Sequence, residues 1–271
     1  MKDGFYTASE AQEQLGLSKA MFHRKVKQGL IPKITPPGMK QGVYPRRDID
    51  VLALSLGAEQ AVSEEPSFSR SSPADLAEEM DLGALYYGRD FVTPLPDRLA
   101  MQQRSDFTFW SVKHHGRVVA YASLMRLPDE LLNDLLTGRK IEREIGVKDV
   151  LPFERLQPFT VYTDVFVVDP RVPLEQQHLY GEVLLSGLID ILFDLRANGY
   201  LIERWMAVTV TPESDIVAER LGFRLLPGNL APGRKPGECV LNEANLRRLW
   251  SLSTKRDLPF PHRVLLPEEV S

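Results

Sequence analysis

A strand-like run, a long amphipathic helix and a second strand-like run follow one another between residues 160 and 210, and this succession limits the chain to folds that mix helix and sheet. Residues 160–168 are rich in β-branched and aromatic side chains and stop at Asp169-Pro170. From Gly181 onward, apolar residues at 183, 184, 185, 188, 191, 192 and 195 form a wide helical stripe. Asn198-Gly199 closes that helix, and residues 202–210 return as a strand. Upstream, residues 106–127 read as two paired strands that turn at His115-Gly116, and residues 74–85 as a short helix. Leu127, Leu131, Leu132, Leu135 and Leu136 recur at spacings of three and four, which predicts a helix over 128–138. A helix over 214–220 and the segment 222–226 complete an α/β (α+β) unit.

With 271 residues the chain is long for one domain, and residues 55–73 are rich in Ser, Glu and Pro without apolar periodicity. The expected division is a small domain over 1–55, a linker over 56–73, a main domain over 74–227 and an extension over 228–271. Charge divides in the same place. Residues 1–55 hold nine Lys/Arg against five Asp/Glu, and the remainder 24 against 32. A basic head on an acidic body directs only the head toward a polyanion.

The single cysteine, Cys239, permits no intrachain disulfide and no cysteine cluster for a metal, and it is read as structural. His114 and His115 are expected to face opposite sides of a strand and to hold no metal together. The opening residues lack the apolar core of a secretion signal, and no run approaches the roughly 20 apolar residues of a membrane span. A soluble cytoplasmic protein is the expectation.

In the head, Thr7 and Glu10 form a capping-box pair before a helix reaching about Leu15. Gly16-Leu17 turns the chain, Ser18 caps again, and a second helix runs from Lys19 to Gln28, ended by Gly29. Phe22 and Val26 point inward with Leu15, Leu17 and Leu30, while Lys19, His23 and Lys27, flanked by Arg24, share another face. Residues 31–34 and 42–44 look like two strands of a wing joined by a turn that carries Lys40; Arg46 and Arg47 precede a third helix over 48–54. Across residues 4–54 this order resembles the excisionase and MerR-like winged helix-turn-helix family. The resemblance implies binding of double-stranded DNA through Lys19, His23, Arg24, Lys27, Lys40, Arg46 and Arg47, with dimerisation elsewhere, in a transcriptional regulator. A helical protein-docking module is the alternative.

Residues 107–124 resemble the strand pair that opens the core of the GNAT superfamily of N-acetyltransferases. Residues 160–170 resemble its fourth strand, and Leu221-Gly222-Phe223 its Leu-Gly-Phe ending. The resemblance implies acetyl-CoA or another acyl-CoA as cofactor, with its pantetheine arm beside Val167 and Val168 and its pyrophosphate at the start of the next helix. The family's Arg/Gln-x-x-Gly-x-Gly/Ala loop aligns with His178, Gly181, Glu182 and Val183, where only the central glycine is kept. A general-acid tyrosine of the family is replaced here by Ala218. N-acyl transfer also needs a group that takes a proton from the attacking amine, and Asp164, Glu144 and Tyr162 are the candidates. Each also has a structural reading, as a cap, a solvated charge or a half-buried strand residue. Three functions remain open: an acyl-CoA-binding regulator, an N-acetyltransferase localised by its head, and a non-catalytic scaffold for dimerisation or partner binding.

Overall fold

The structure is a computed structural model and describes residues 4–17, 19–27, 29–35, 42–53, 65–227, 231 and 233–265. The head begins with β1 (Phe5–Tyr6), which pairs antiparallel with β2 (Tyr44–Pro45). The Thr7 and Glu10 side chains exchange hydrogen bonds with each other's backbone N–H and start α1 (Ala8–Gln14) as a capping box. α2 (Lys19–Lys27) follows, and Gly29, at φ 75°, ends it. Residues 46–53 form α3. Ala11, Leu15, Phe22, Ile31, Tyr44 and Ile49 are the buried core, with Leu17 and Val26 packed against it.

Several expectations for the head need correction. Leu30 is 58 % exposed, because the turn after Gly29 carries it outward while Ile31 takes the inward position. The third helix starts at Arg46, so Arg46 and Arg47 occupy its first turn. Among the described residues the wing strands reduce to one bridge, Ile34 to Val43, and the unforeseen β1–β2 pair lies beside it. Ser18 and Lys40 lie outside the described residues.

The body contains β3 (Ser67–Arg70), α4 (Pro73–Tyr87), α5 (Leu95–Arg104), β4 (Phe109–His114), β5 (Arg117–Ser123), α6 (Asp129–Thr137), β6 (Phe159–Thr163), β7 (Phe166–Val168), α7 (Leu174–Ala197), β8 (Ile202–Thr209), α8 (Pro212–Arg220), β9 (Arg224–Leu225), β10 (Lys235–Val240) and α9 (Glu243–Trp250). One sheet has the order β3-β4-β5-β7 and the other β6-β8-β10-β9. Every recorded strand pair is antiparallel except β6 with β8, whose parallel alignment needs the crossover that α7 provides. The α/β class is thereby realised.

Three boundaries differ from the sequence reading. β3 lies inside the expected linker; it pairs with β4 through Ser67–Arg70, so Phe68 and Arg70 belong to the sheet. The expected strand over 160–168 is two strands in two sheets. The expected extension supplies β10, which lies between β8 and β9, and α9. α5 was not anticipated at all. The hairpin turn falls as expected at His115 and Gly116, whose φ values of 49° and 72° suit the right-handed twist of paired strands.

α7 is the central element, with Leu184, Leu188, Ile189 and Leu192 buried against the sheet residues Val112, Val161 and Ile202. Its Gly187 faces the ring of Phe68, and a Cβ there would overlap the ring carbons. On its far side the Arg196 guanidinium is buried and donates to the carbonyls of Val264 (2.7 Å) and Ile202. Among the described residues no helix is long and apolar enough to cross a membrane. Gly187→Ala is expected to destabilise the protein by about 1–3 kcal/mol, since the ring cannot yield without moving β3; urea unfolding of the variant measures it, and an unchanged midpoint would refute the packing account.

Candidate functional site

The strand that opened the sequence argument divides at Asp164. Tyr162 exchanges backbone hydrogen bonds with Met125 (2.7 and 2.8 Å), and Phe166 is registered with Ala122. Four steps along this strand therefore oppose three along its partner, which is a β-bulge centred on 163–165. β8 accompanies the strand only as far as the pairing of Thr163 with Ala207. Beyond the bulge, among the described residues, β7 has a strand partner on one side alone, β5. The two strands diverge from there.

The bulge aims Asp164. Its backbone N–H donates to the Ser123 hydroxyl (3.1 Å), and that hydroxyl donates back to the carboxylate. Asp164 is half-buried, and burial raises its carboxyl above the usual range, against the pull of Ser123 and of the Arg98 charge. Tyr162, two positions earlier, is fully buried and donates to Glu142 (2.8 Å). Burial and then the Glu142 charge raise its phenol well above the usual value, so it stays protonated. Arg234, from the segment before β10, grips both oxygens of Glu142 at 2.7 and 2.8 Å.

Glu144 does not reach this cluster. It is exposed and accepts from the Ile141 backbone N–H (2.9 Å), closing a short 3-10 turn. It lines a separate cleft of about 410 Å³ with Phe91, Met101 and Arg143. Nothing in Ile-Glu-Arg-Glu-Ile distinguishes the two glutamates; the turn alone decides that Glu142 faces inward. Tyr87, at the end of α4, is a further residue that the sequence reading passed over. Burial, followed by the charges of Asp164 and Glu142, pushes its phenol up to about 12.

The anticipated phosphate loop is absent at 178–183. α7 begins at Leu174, with Pro173 as an N-cap lacking a side-chain hydrogen bond, so His178, Gly181, Glu182 and Val183 lie within the helix and their N–H groups serve its own ladder. No glycine interrupts 174–180, and the helix propagates back to the proline. His178 and Glu182 are exposed, Val183 packs against the core, and Gly181 faces Val168 with room for a Cβ at 3.7 Å. The N–H groups without an intrahelical acceptor belong to 174–176. Just before them, Arg171 holds the buried Asp169 carboxylate through two side-chain bonds (2.7 and 2.8 Å) and its backbone N–H, which keeps that carboxyl below its usual range. Val167 is buried beside Leu82 and Tyr121, and the Val168 carbonyl accepts from Tyr86 (2.7 Å).

Ala218 is buried in the core. Cys239 is buried too, its thiol pushed up to about 12 by burial, as a structural cysteine would be. Of the paired histidines, His115 takes the expected turn with a left-handed backbone, and its ring lies 3.9 Å from that of His114 rather than on the opposite face of the strand. His114 Nδ1 is 2.7 Å from the Tyr180 hydroxyl, and no cluster of three metal-binding side chains occurs among the described residues. In the head, Lys19, His23, Arg24, Lys27, Arg46 and Arg47 are all exposed.

Beneath the site, Glu79 of α4 is paired with Arg98 of α5; both are buried, and Ser71 donates to the carboxylate. The guanidinium also lies over the rings of Phe109 (4.1 Å) and Tyr121 (5.3 Å). Burial pushes the Glu79 carboxyl up to about 7, with Arg98 and Ser71 pulling it down.

Comparison with family models gives no match, and comparison with curated proteins gives none. Among solved structures the chain is similar to the GphF GNAT-like decarboxylase in complex with isobutyryl-CoA, with 15 % identity over 65 % of this chain and 100 % of that one, at a TM-score of 0.46. It is also similar to YncA of Salmonella typhimurium, a putative acetyltransferase with its cofactor acetyl-CoA (18 % identity, 66 % and 95 % covered, TM-score 0.43). An acetyltransferase of Trypanosoma brucei gives 20 % identity, 62 % and 98 % coverage and a TM-score of 0.41.

Arg98→Met is expected to destabilise the protein by about 3–5 kcal/mol, because it leaves a buried carboxylate without its partner. Glu79 binds its proton more tightly folded than unfolded, so its contribution is present below its unfolded value and is lost as pH rises toward and past about 7. Without Arg98 that loss deepens. Urea unfolding at pH 5 and pH 8 should therefore show the larger penalty at pH 8; equal penalties would refute the pairing account.

Proposed function

We propose that the body binds an acyl-CoA along the open edge of β7 and that the head binds double-stranded DNA. The observation that carries the first part is the division of residues 159–168 between two sheets, which leaves β7 with an edge that no other described strand pairs, next to a half-buried carboxyl of raised proton affinity. The sequence resemblance of residues 107–124, 160–170 and 221–223 to the GNAT superfamily supports it.

The residues present fit such a carrier. Peptide groups at the edge of β7 match the amides of an extended arm, and the uncapped start of α7 offers N–H groups to a phosphate. Arg171 neutralises Asp169 at that end. A bound acyl-CoA supplies an activated thioester. Asp164 takes the proton from an attacking amine in this reading, and its raised proton affinity makes it a stronger base than an ordinary aspartate. A second reading, binding without transfer, is favoured by Ala218, which leaves that position of α8 without a proton donor. A fusion of acyl-CoA binding with a DNA-reading head makes a regulator.

The head's part rests on five exposed cations, Lys19, Arg24 and Lys27 along α2 and Arg46 and Arg47 at the start of α3, with His23 beside them, presented by a compact core. Calorimetry of the full chain with acetyl-CoA is expected to give saturable heat in both wild type and Asp164→Asn; silence in both, with no thermal shift, overturns the carrier reading. For the head, replacing Lys19 and Lys27 together by Ala is expected to weaken DNA binding and to flatten the dependence of log affinity on log salt by about 0.9 per lost phosphate contact. An unchanged slope would return the docking reading.

A further inference from the structure

α4 sends a side chain onto the edge where the carrier is proposed to lie. Asp169 N–H donates to the Val119 carbonyl (2.8 Å), and the Val165 carbonyl accepts from Ser123 N–H (3.2 Å). Odd-numbered positions thus spend their peptide groups on β5, and strand alternation turns those of Phe166 and Val168 to the opposite edge. The Val168 carbonyl is not free there. It accepts the hydroxyl of Tyr86 at 2.7 Å.

Tyr86 is the penultimate residue of α4, and its side of the contact is loosely held. The residue is 49 % exposed, its ring meets that of Tyr87 at 6.2 Å, and it is absent from the buried core. Gly88 follows at φ 80° and ψ 152°, a backbone conformation essentially reserved for glycine, which makes the end of the helix a natural pivot. A solvent-facing side chain therefore satisfies a strand carbonyl that an added strand, or any extended secondary-amide chain, would otherwise claim.

We infer that Tyr86 is a latch on the carrier site: its hydroxyl occupies the Val168 carbonyl when the edge is empty and must swing away before an amide-bearing arm can bond there. This inference rests on the acyl-CoA reading above. The latch costs the ligand one competing hydrogen bond, which corresponds to about fivefold in affinity. It predicts tighter binding on removal of a polar group, the opposite of what a ligand-contacting tyrosine would give.

The test is calorimetry of acetyl-CoA with the full wild-type chain and with Tyr86→Phe, which keeps the ring and removes only the hydroxyl. The expected result is a Kd about fivefold lower in Tyr86→Phe; binding seen in the variant alone supports the latch equally. Equal or weaker binding by the variant overturns the latch and leaves the acyl-CoA reading standing. Binding by neither protein overturns the acyl-CoA reading, and the latch falls with it.

Discussion

The bond pair between Ser123 and Asp164 is the constraint on which the body depends. A bulge leaves one residue without a ladder partner, and its polar groups must be satisfied locally. Here a single hydroxyl does so twice, accepting the Asp164 N–H and donating to its carboxylate. Because the extra residue is accommodated at that point, the strand continues along β5 while departing from β8, and one edge is released. A regular strand would have paired on both sides and buried the same edge.

Charge beneath the bulge is arranged with similar economy. Glu79 and Arg98 tie α4 and α5 together under the sheet, and Arg98 is also close enough to Asp164 to oppose its rise in proton affinity. Glu142 joins Tyr162 to Arg234, linking the turn after α6 to the segment that leads into β10. The first pair joins two successive helices, and the second joins segments 92 residues apart. Each therefore fixes the relative position of elements that hydrophobic contact, being non-directional, would leave free to slide.

Local chemistry was the legible part of this sequence. The Thr7–Glu10 box, the His115-Gly116 turn and the Asn198-Gly199 stop each depend on neighbours within a few residues, and each lies where the sequence places it. What escaped was set by distant partners. Residues 160–168 read as one continuous strand-like run, and only the register against Ala122 and Met125 discloses the bulge. Ser67–Arg70 lie in linker-like composition, yet β4 recruits them as a strand. Of the candidate bases, Asp164 lies at the bulge, Tyr162 is committed to Glu142, and Glu144 belongs to a neighbouring cleft. The residues aligned to a phosphate loop were misplaced because helix propagation, a cooperative property of the whole 174–197 segment, overrode an alignment that kept only Gly181.

The position of β10 bears on how the chain reaches its fold during synthesis. A strand encoded after residue 234 lies between two that are encoded before 226, and the Val264 carbonyl later receives the buried Arg196 guanidinium. Until those residues leave the ribosome, β8 exposes an unpaired flank and the Arg196 guanidinium lacks its Val264 acceptor. The body thus closes from its last-made part inward, and the nascent protein passes through an interval of sticky, half-built sheet in which chaperone contact is most valuable.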